Sequence, residues 1–294
     1  MVRQATFSSL RSLFVHLRLH YQLLFLSPLF IWGFMLGGAT FSKRAVVAFV
    51  SFHIFLYGGI TAYNSYYDRD EGPVGGLRSP PPVIEALLPF SLAIQIVGWI
   101  LAIAVGWWFT LLYAVVMLLS VAYSHPRFRW KAKPLGSLFV VAFGQGAAGY
   151  LGGWLCGAGP PHSLLALEPF LGVSVAALSA VGLYPLTQIY QIDEDRTRGD
   201  RTFAVAFGPD ASFKFALTCI ALAGLCICPL VLRRFGWHDA LLLGTVYAAL
   251  IAAVERWRRG FRSDVESNFV TLHRLQLVLS VGTLGYMTAR MALA

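Results

Sequence analysis

The sequence predicts an all-α, polytopic membrane protein of about nine transmembrane helices. Of its 294 residues, 57% are hydrophobic and only 13% are charged, and the mean hydropathy is +0.66. Soluble domains carry about 25% charged residues, so this chain has too few polar side chains to cover a water-exposed surface of its size. The composition therefore excludes an ordinary soluble enzyme, a disordered chain and a fibrous protein.

Nine apolar segments are each long enough to cross a bilayer, which takes about 20 residues in a helix. They cover roughly residues 21–41, 45–64, 84–104, 106–123, 135–156, 167–190, 212–232, 238–254 and 275–293. The third and fourth are nearly continuous, and we expect a tight turn at Gly106 between them. Strands of a membrane barrel would be shorter and would alternate in polarity. We expect one transmembrane domain over residues 1–294, with residues 1–20 as its N-terminal segment.

The distribution of basic residues predicts the orientation in the membrane. The net charge is +9, but the bases lie in short loops between apolar segments rather than in the single patch of a nucleic-acid-binding protein. With nine spans, the N-terminus and the loops after spans two, four, six and eight share one side, which holds 18 of the 23 Lys and Arg. The positive-inside rule places that side in the cytoplasm.

The loops after the second and sixth spans repeat one polar pattern. The residues at matching positions are Asn64 and Gln191, Asp68 and Asp195, Arg69 and Arg196, and Gly72 and Gly199. An amide and a carboxylate four residues apart lie on one face of a helix end. A polar stripe of Tyr184, Gln188 and Gln191 also leads from the sixth span to Asp195. Such stripes in membrane helices face the bundle interior and are usually functional.

Two carboxylate clusters on the same side of a membrane bundle repel each other unless a cation joins them. Mg²⁺ binds one or two carboxylates together with phosphate oxygens and water. Two facing clusters therefore predict a magnesium–diphosphate site, in which Arg69, Arg196 and Arg198 meet the remaining phosphate charge. The alternative is that both loops are solvated turns with local ion pairs.

A third polar segment follows the fourth span, on the same side. It begins at Tyr123 and carries four cations, namely Arg127, Arg129, Lys131 and Lys133. These cations suit a phosphate clamp, and they equally suit juxtamembrane anchors that bind anionic lipid. The sequence leaves both interpretations open.

These three segments, in this order and spacing, resemble the UbiA superfamily of intramembrane prenyltransferases. The segments are Asn64–Asp70, Tyr123–Pro134 and Gln188–Gly199, and the resemblance covers nearly the whole chain. It implies a helical bundle around a central cavity, and Mg²⁺-dependent transfer of a polyprenyl group from a diphosphate to an aromatic or other small acceptor. It further implies that Asn64, Asp68 and Asp195 are the catalytic residues and the metal ligands.

The remaining candidate residues follow from the same resemblance. The diphosphate-binding candidates are Arg69, Arg127, Lys131, Arg196 and Arg198. The supporting candidates are Tyr123, Tyr184, Gln188, Gln191, Asp70, Glu71, Asp193 and Glu194. The chain departs from the family pattern where Gly72 and Gln191 replace two expected aspartates. Either the enzyme binds fewer metals or uses shifted ligands, or it has diverged in its donor, acceptor or chemistry or lost catalysis. The acids close enough to act as shifted ligands are Asp70, Glu71, Asp193, Glu194 and Asp200.

Two other functions compete with prenyl transfer. A transporter or non-catalytic lipid-binding protein on the same scaffold would use broken helices and charges near the bilayer midplane, whereas the carboxylates here lie at the rim. A CDP-alcohol transferase would carry an Asp-Gly-x2-Ala-Arg signature, which is absent. Prenyl transfer is the preferred hypothesis.

Overall fold

A computed structural model describes residues 10–157 and 166–293 of the chain. Within those ranges the backbone is helical and contains no β-strand, apart from one isolated bridge between Val74 and Leu77. The helices are α1 (Leu10–Leu36), α2 (Lys43–Asp68), α3 (Leu87–Val105), α4 (Trp107–Ser124), α5 (Pro134–Trp154), α6 (Leu167–Gln188), α7 (Ile192–Thr197), α8 (Phe203–Arg234), α9 (Trp237–Arg259) and α10 (Val265–Ala292). The predicted all-α membrane bundle is confirmed.

Eight of the described helices are long and apolar enough to cross a membrane, namely α1–α6, α8 and α9. The ninth predicted span, 275–293, lies in α10. This helix has 28 residues but a less apolar composition, because it carries Glu266 and Arg274 before the span and Arg290 near its end. The count of nine is therefore approximate.

Helix α1 begins before the predicted first span, at Leu10 rather than near residue 21, and it is interrupted at Arg18, whose backbone is left-handed with a φ of 48°. The first residues of α1 are too polar to be recognised by hydropathy. His16 and Arg18 are nevertheless buried, with only 1% and 5% of their surface exposed. Ser12 Oγ also donates a hydrogen bond to the carbonyl oxygen of Pro82, 3.1 Å away. The start of α1 thus packs against the loop that follows α2.

The tight turn predicted between the third and fourth spans lies at Gly106. Helix α3 ends at Val105 and α4 begins at Trp107, with Gly106 alone between them at a φ of 137°. Side chains with a Cβ rarely adopt this conformation, so glycine permits the reversal. The two helices therefore pack directly against each other.

Helices α1 and α5 approach closely because glycines face each other's backbone. A Cβ at Gly153 of α5 would collide with the carbonyl oxygen of Phe30 in α1, and a Cβ at Gly33 would collide with the carbonyl oxygen of Tyr150. Small residues allow this kind of close packing between membrane helices. The contact fixes one wall of the bundle.

Three of the described helices contain a π-helical stretch. These stretches cover Gln22–Leu26 in α1, Ser51–Tyr57 in α2 and Val141–Ala147 in α5. Such stretches are rare, leave carbonyl groups without their usual partners, and are frequent at functional sites. The Tyr57 hydroxyl donates to one such carbonyl, that of Gly144, at 2.8 Å. All three stretches contribute residues to the wall of a cavity inside the bundle.

Candidate active site

A cavity of about 390 Å³ runs through the bundle and brings the predicted motifs together. One end is polar and is lined by Asn64, Asp68, Asp70, Lys131, Gln191, Asp195, Arg198 and Asp200. The remainder is mainly apolar, and its walls include Trp32, Val116, Val175, Ile227, Leu243 and Met287. Ligand cavities commonly combine such an apolar wall with a few converging polar groups.

The end of α2 supplies the first motif. Helix α2 ends at Asp68, whose side chain is 7% exposed and forms an ion pair with Lys131 from the loop after α4. One turn earlier, Asn64 Oδ1 accepts a hydrogen bond from Ser124 Oγ at 2.9 Å. The i, i+4 spacing thus directs both side chains to the same cavity, and each contacts the end of α4 or the loop that follows it.

Arg198 connects the two acidic motifs. Its Nη1 lies 2.6 Å from Asp70 Oδ1 and donates to the Asp68 carbonyl oxygen at 3.2 Å. Its Nη2 lies 3.3 Å from Glu194 Oε1 and 3.6 Å from Asp195 Oδ1. A single guanidinium therefore contacts carboxylates from both loops.

Asp195 is the buried carboxylate of the second motif. It lies on α7, and its Oδ2 accepts a hydrogen bond from Thr202 Oγ1 at 3.0 Å. Burial raises the pKa of Asp195 to about 6, an effect that Thr202 and Arg198 partly oppose. Burial likewise lowers the pKa of Lys131 to about 8. A nearby cation favours the charged form of a carboxylate in such a site.

The predicted amides and tyrosines brace the polar end. Gln191 Nε2 donates to the carbonyl oxygen of Pro73 at 3.2 Å, which ties the start of the second motif to the first loop. Gln188 Oε1 accepts from the backbone N–H of Ala204 at 3.3 Å. The hydroxyls of Tyr123 and Tyr184 lie 2.8 Å apart, and both residues line the cavity. These contacts fix the ends of α4 and α6 relative to each other.

Several predicted residues lie outside the cavity lining. They are Arg69, Arg127, Arg196, Glu71, Asp193 and Glu194. Arg69 pairs with Glu85 at 2.9 Å, and Arg196 lies 3.6 Å from Asp193, whose side chain is 97% exposed. These arginines point outward because Arg69 follows the last residue of α2 and Arg196 occupies the solvent-facing side of α7. The structure thus places these arginines outside the cavity lining, and their diphosphate contact stays a prediction.

Two residues at the polar end are not catalytic, diphosphate-binding or supporting candidates from the sequence, although Asp200 is among the acids close enough to replace a missing ligand. Arg18 lines the cavity, and its Nη2 donates to Ser65 Oγ at 2.8 Å. Asp200 also lines the cavity and forms a two-point ion pair with Arg129, at 2.6 and 2.8 Å. In the sequence, Arg18 is one of the N-terminal charges that set membrane orientation. Asp200 follows the second motif directly, so its position in the loop is a usable signal.

The polar end balances its charges internally. Four carboxylates line it, those of Asp68, Asp70, Asp195 and Asp200, and the cations beside them are Arg18, Arg129, Lys131 and Arg198. Lys131 and Arg198 lie between the carboxylates. Within residues 10–157 and 166–293, accordingly, no group of three His, Cys, Asp or Glu side chains is arranged to hold a metal ion.

The residues at this end nevertheless fit a hard divalent cation. The available donors are carboxylate and amide oxygens, which Mg²⁺ prefers. In addition, Asp70 Oδ2 is buried and has no hydrogen-bond partner among residues 10–157 and 166–293. Buried polar atoms are normally paired, so an unpaired carboxylate oxygen in the cavity wall indicates that a positively charged partner is missing.

Comparison with known proteins extends this result. A family model described as the UbiA prenyltransferase family matches residues 26–278. A digeranylgeranylglyceryl phosphate synthase from Natronomonas pharaonis is 26% identical over 234 residues, which are 78% of this chain and 80% of that protein. A lycopene elongase/hydratase from Halobacterium salinarum is 27% identical over 267 residues, which are 84% of this chain and 87% of that protein.

The fold is also similar to solved structures. A UbiA homolog from Archaeoglobus fulgidus bound to DMAPP and Mg²⁺ superposes with a TM-score of 0.72 at 18% sequence identity. The match covers 94% of this chain and 99% of the homolog. At this identity the similarity establishes a shared fold.

Proposed function

Because the chain belongs to the UbiA prenyltransferase family, we propose that it transfers a prenyl group from a prenyl diphosphate to an aromatic or other small acceptor within the membrane, with Mg²⁺ as cofactor. The family prediction made from the three motifs is confirmed, and with it the assignment as an integral, multi-pass membrane prenyltransferase. The choice of acceptor and the roles of individual residues belong to the proposal.

One observation carries the proposal. Asp68 and Asp195 lie 127 residues apart in the chain, yet they line the same polar end of one otherwise apolar cavity. A prenyl diphosphate is polar and apolar in the same way as the cavity, since its head is anionic and its tail is a hydrocarbon. The polar end suits the head and the apolar walls suit the tail.

Three residues would hold the metal, namely Asn64, Asp68 and Asp195. When bound, Mg²⁺ stabilises the negative charge that grows on the departing diphosphate. Asn64 is positioned for this role by Ser124, and Asp195 by Thr202. Lys131 pairs with Oδ1 of Asp68, so Oδ2 of that carboxylate would bind the metal, and the Lys131 ammonium group would contact a phosphate oxygen.

The cations that line the cavity would bind the diphosphate. Lys131, Arg198 and Arg18 surround the polar end, and charge-assisted hydrogen bonds to phosphate are strong. Negative charge develops on the leaving oxygens, so these groups act where the transition state needs them. The aromatic ring of Tyr184 borders the same space and would stabilise the allylic cation through its π-face. The apolar walls would exclude water from that cation.

We further propose that the N-terminus and the motif loops face the cytoplasm. The support is the excess of Lys and Arg on that side, 18 of 23 in the sequence. The ion pairs of Asp68 with Lys131 and of Asp70 with Arg198 agree with a common side for the loops after α2, α4 and α6. Reporter fusions to the N-terminus and to the loop after α4, read by cytoplasmic fluorescence and by periplasmic phosphatase activity, test the orientation.

The test of function uses the purified full chain in nanodiscs. Geranylgeranyl diphosphate, Mg²⁺ and membrane lipid extracts as the acceptor source are supplied, and diphosphate release and prenylated products are measured. Asp68→Asn and Asp195→Asn should each lower the rate at least ~100-fold, the scale expected when stabilisation of a developing charge is removed. Full activity in both variants would overturn the metal-site assignment.

The same preparation separates catalysis from binding or transport. If the protein binds the prenyl diphosphate but releases no diphosphate with any extract, the catalytic proposal fails and a lipid-binding role stands. If labelled lipid crosses the proteoliposome membrane while a chelator removes Mg²⁺, a transport role stands.

A further inference from the structure

Asp70 occupies an unusual position at the end of α2. The helix ends at Asp68, and the next residue, Arg69, adopts a left-handed backbone with a φ of 51°. This turn sends the Arg69 side chain outward to Glu85, and Asp70 lies in the cavity wall beside Asp68. The Asp70 side chain is 5% exposed. Two carboxylates from one helix end therefore face the same space, although they are only two residues apart.

The two carboxylate oxygens of Asp70 have different surroundings. Oδ1 is 2.6 Å from Arg198 Nη1, while Oδ2 is buried and has no hydrogen-bond partner in the described part of the chain. Burying a charged oxygen without a partner costs free energy. Arg198 thus holds the carboxylate by one oxygen, and a cation bound at the other would remove that cost.

Position 72 cannot provide a second carboxylate in this chain. It is glycine, and a Cβ there would lie 3.0 Å from Glu194 Oε2, which is tighter than an ordinary contact. Glu194 Oε1 also accepts from the backbone N–H of Glu71 at 3.2 Å. Glu194 thus fills the space beside Gly72 and braces the first loop, but neither residue lines the cavity.

We propose that Asp70 is a metal-binding carboxylate of this site, ligating through Oδ2, and that it takes the place of the carboxylate that position 72 lacks. The proposal rests on the proposed function, because it concerns the same metal and diphosphate. Arg198 is the residue that positions Asp70, and the left-handed turn at Arg69 brings Asp70 into the cavity.

Metal binding tests this directly, without catalysis. Mn²⁺ is titrated into the full chain in micelles with inorganic diphosphate present, and free Mn²⁺ is measured by EPR. Asp70→Asn retains an oxygen that accepts from Arg198, and it should raise the Kd for Mn²⁺ at least tenfold. Glu71→Gln removes the same charge from the exposed neighbouring residue and should leave the Kd unchanged. A wild-type Kd for Asp70→Asn would overturn the proposal.

A second variant gives a gain of signal that a structural role would not produce. Asp70→Cys places a soft thiolate at the same position, and thiolates select softer metals than Mg²⁺ or Mn²⁺. The ratio of Cd²⁺ affinity to Mn²⁺ affinity should rise at least tenfold over that of the wild type. Glu71→Cys is the control. An equal ratio of Cd²⁺ to Mn²⁺ affinity in the two variants would overturn the proposal.

The titration also distinguishes failure of this inference from failure of the proposed function. If Asp68→Asn and Asp195→Asn weaken Mn²⁺ binding while Asp70→Asn does not, the function stands and the role of Asp70 is refuted. If all three bind as the wild type does, the metal site of the proposed function falls together with the inference.

Discussion

Lys131 and Asp68 form an ion pair in which both side chains are almost completely buried, with exposed fractions of 8% and 7%. The pair joins the loop after α4 to the end of α2. Removing one partner of a buried pair typically costs about 3–5 kcal/mol, because the other charge is left unpaired. The contact therefore holds the polar end of the cavity together.

Lys131→Met should weaken the binding of geranyl diphosphate at least tenfold. A hydrogen bond to a charged group contributes about 1.5–3 kcal/mol, and the variant loses one from the donor's phosphate. Isothermal titration in micelles with Mg²⁺ measures the affinity. Lys133→Met removes the same charge two residues away on an exposed side chain and serves as the control. Equal affinities of the two variants would contradict the role given to Lys131.

Arg18→Gln should raise the KM for the prenyl diphosphate about tenfold or more. The Arg18 guanidinium is buried, and its Nε has no hydrogen-bond partner within residues 10–157 and 166–293, so one of its donors is unused before a phosphate binds. Steady-state kinetics with varied donor concentration gives the KM.

Ser65→Ala is the matched control for Arg18, because it removes the hydrogen bond to Arg18 Nη2 while the charge stays. We expect Ser65→Ala to change the KM less than threefold. An Arg18→Gln enzyme with wild-type KM would show that this arginine has only a structural role.

Gly153→Ala should destabilise the protein, whereas Gly144→Ala should not. A Cβ at Gly153 collides with the carbonyl oxygen of Phe30, and overpacking of this kind costs about 1–3 kcal/mol. At Gly144 the nearest atom to a Cβ would be Val140 Cγ1 at 3.9 Å, which is ordinary contact. Thermal unfolding in the same detergent compares the two variants, and a similar melting temperature for both would contradict the close α1–α5 packing.

Much of the fold could be predicted from the sequence because membrane spans are set by length and apolar composition. The turn at Gly106 is an example, since only glycine separates two apolar helices. The start of α1 could not be found in this way. His16 and Arg18 are buried against protein rather than lipid, and hydropathy does not distinguish these two environments.

The candidate site was predictable at the level of its motifs but not of each side chain. The i, i+4 spacing of Asn64 and Asp68 correctly indicates that both face the cavity. The Arg69 side chain points outward because the Arg69 backbone is left-handed. Residue type does not predict this conformation, since residues other than glycine rarely adopt it. The position of Glu194 against Gly72 is a contact across 122 positions that no local pattern contains.

The equal number of carboxylates and cations at the polar end has a consequence for how a substrate arrives. Opposite charges that are paired at short range cancel each other beyond about one Debye length, roughly 8 Å in physiological salt. These paired charges therefore add little long-range attraction for an anion in the surrounding water. Capture of a prenyl diphosphate then depends on the partition of its hydrocarbon tail into the bilayer. The bilayer concentrates the lipid-like donor, and lateral diffusion delivers it to the helices.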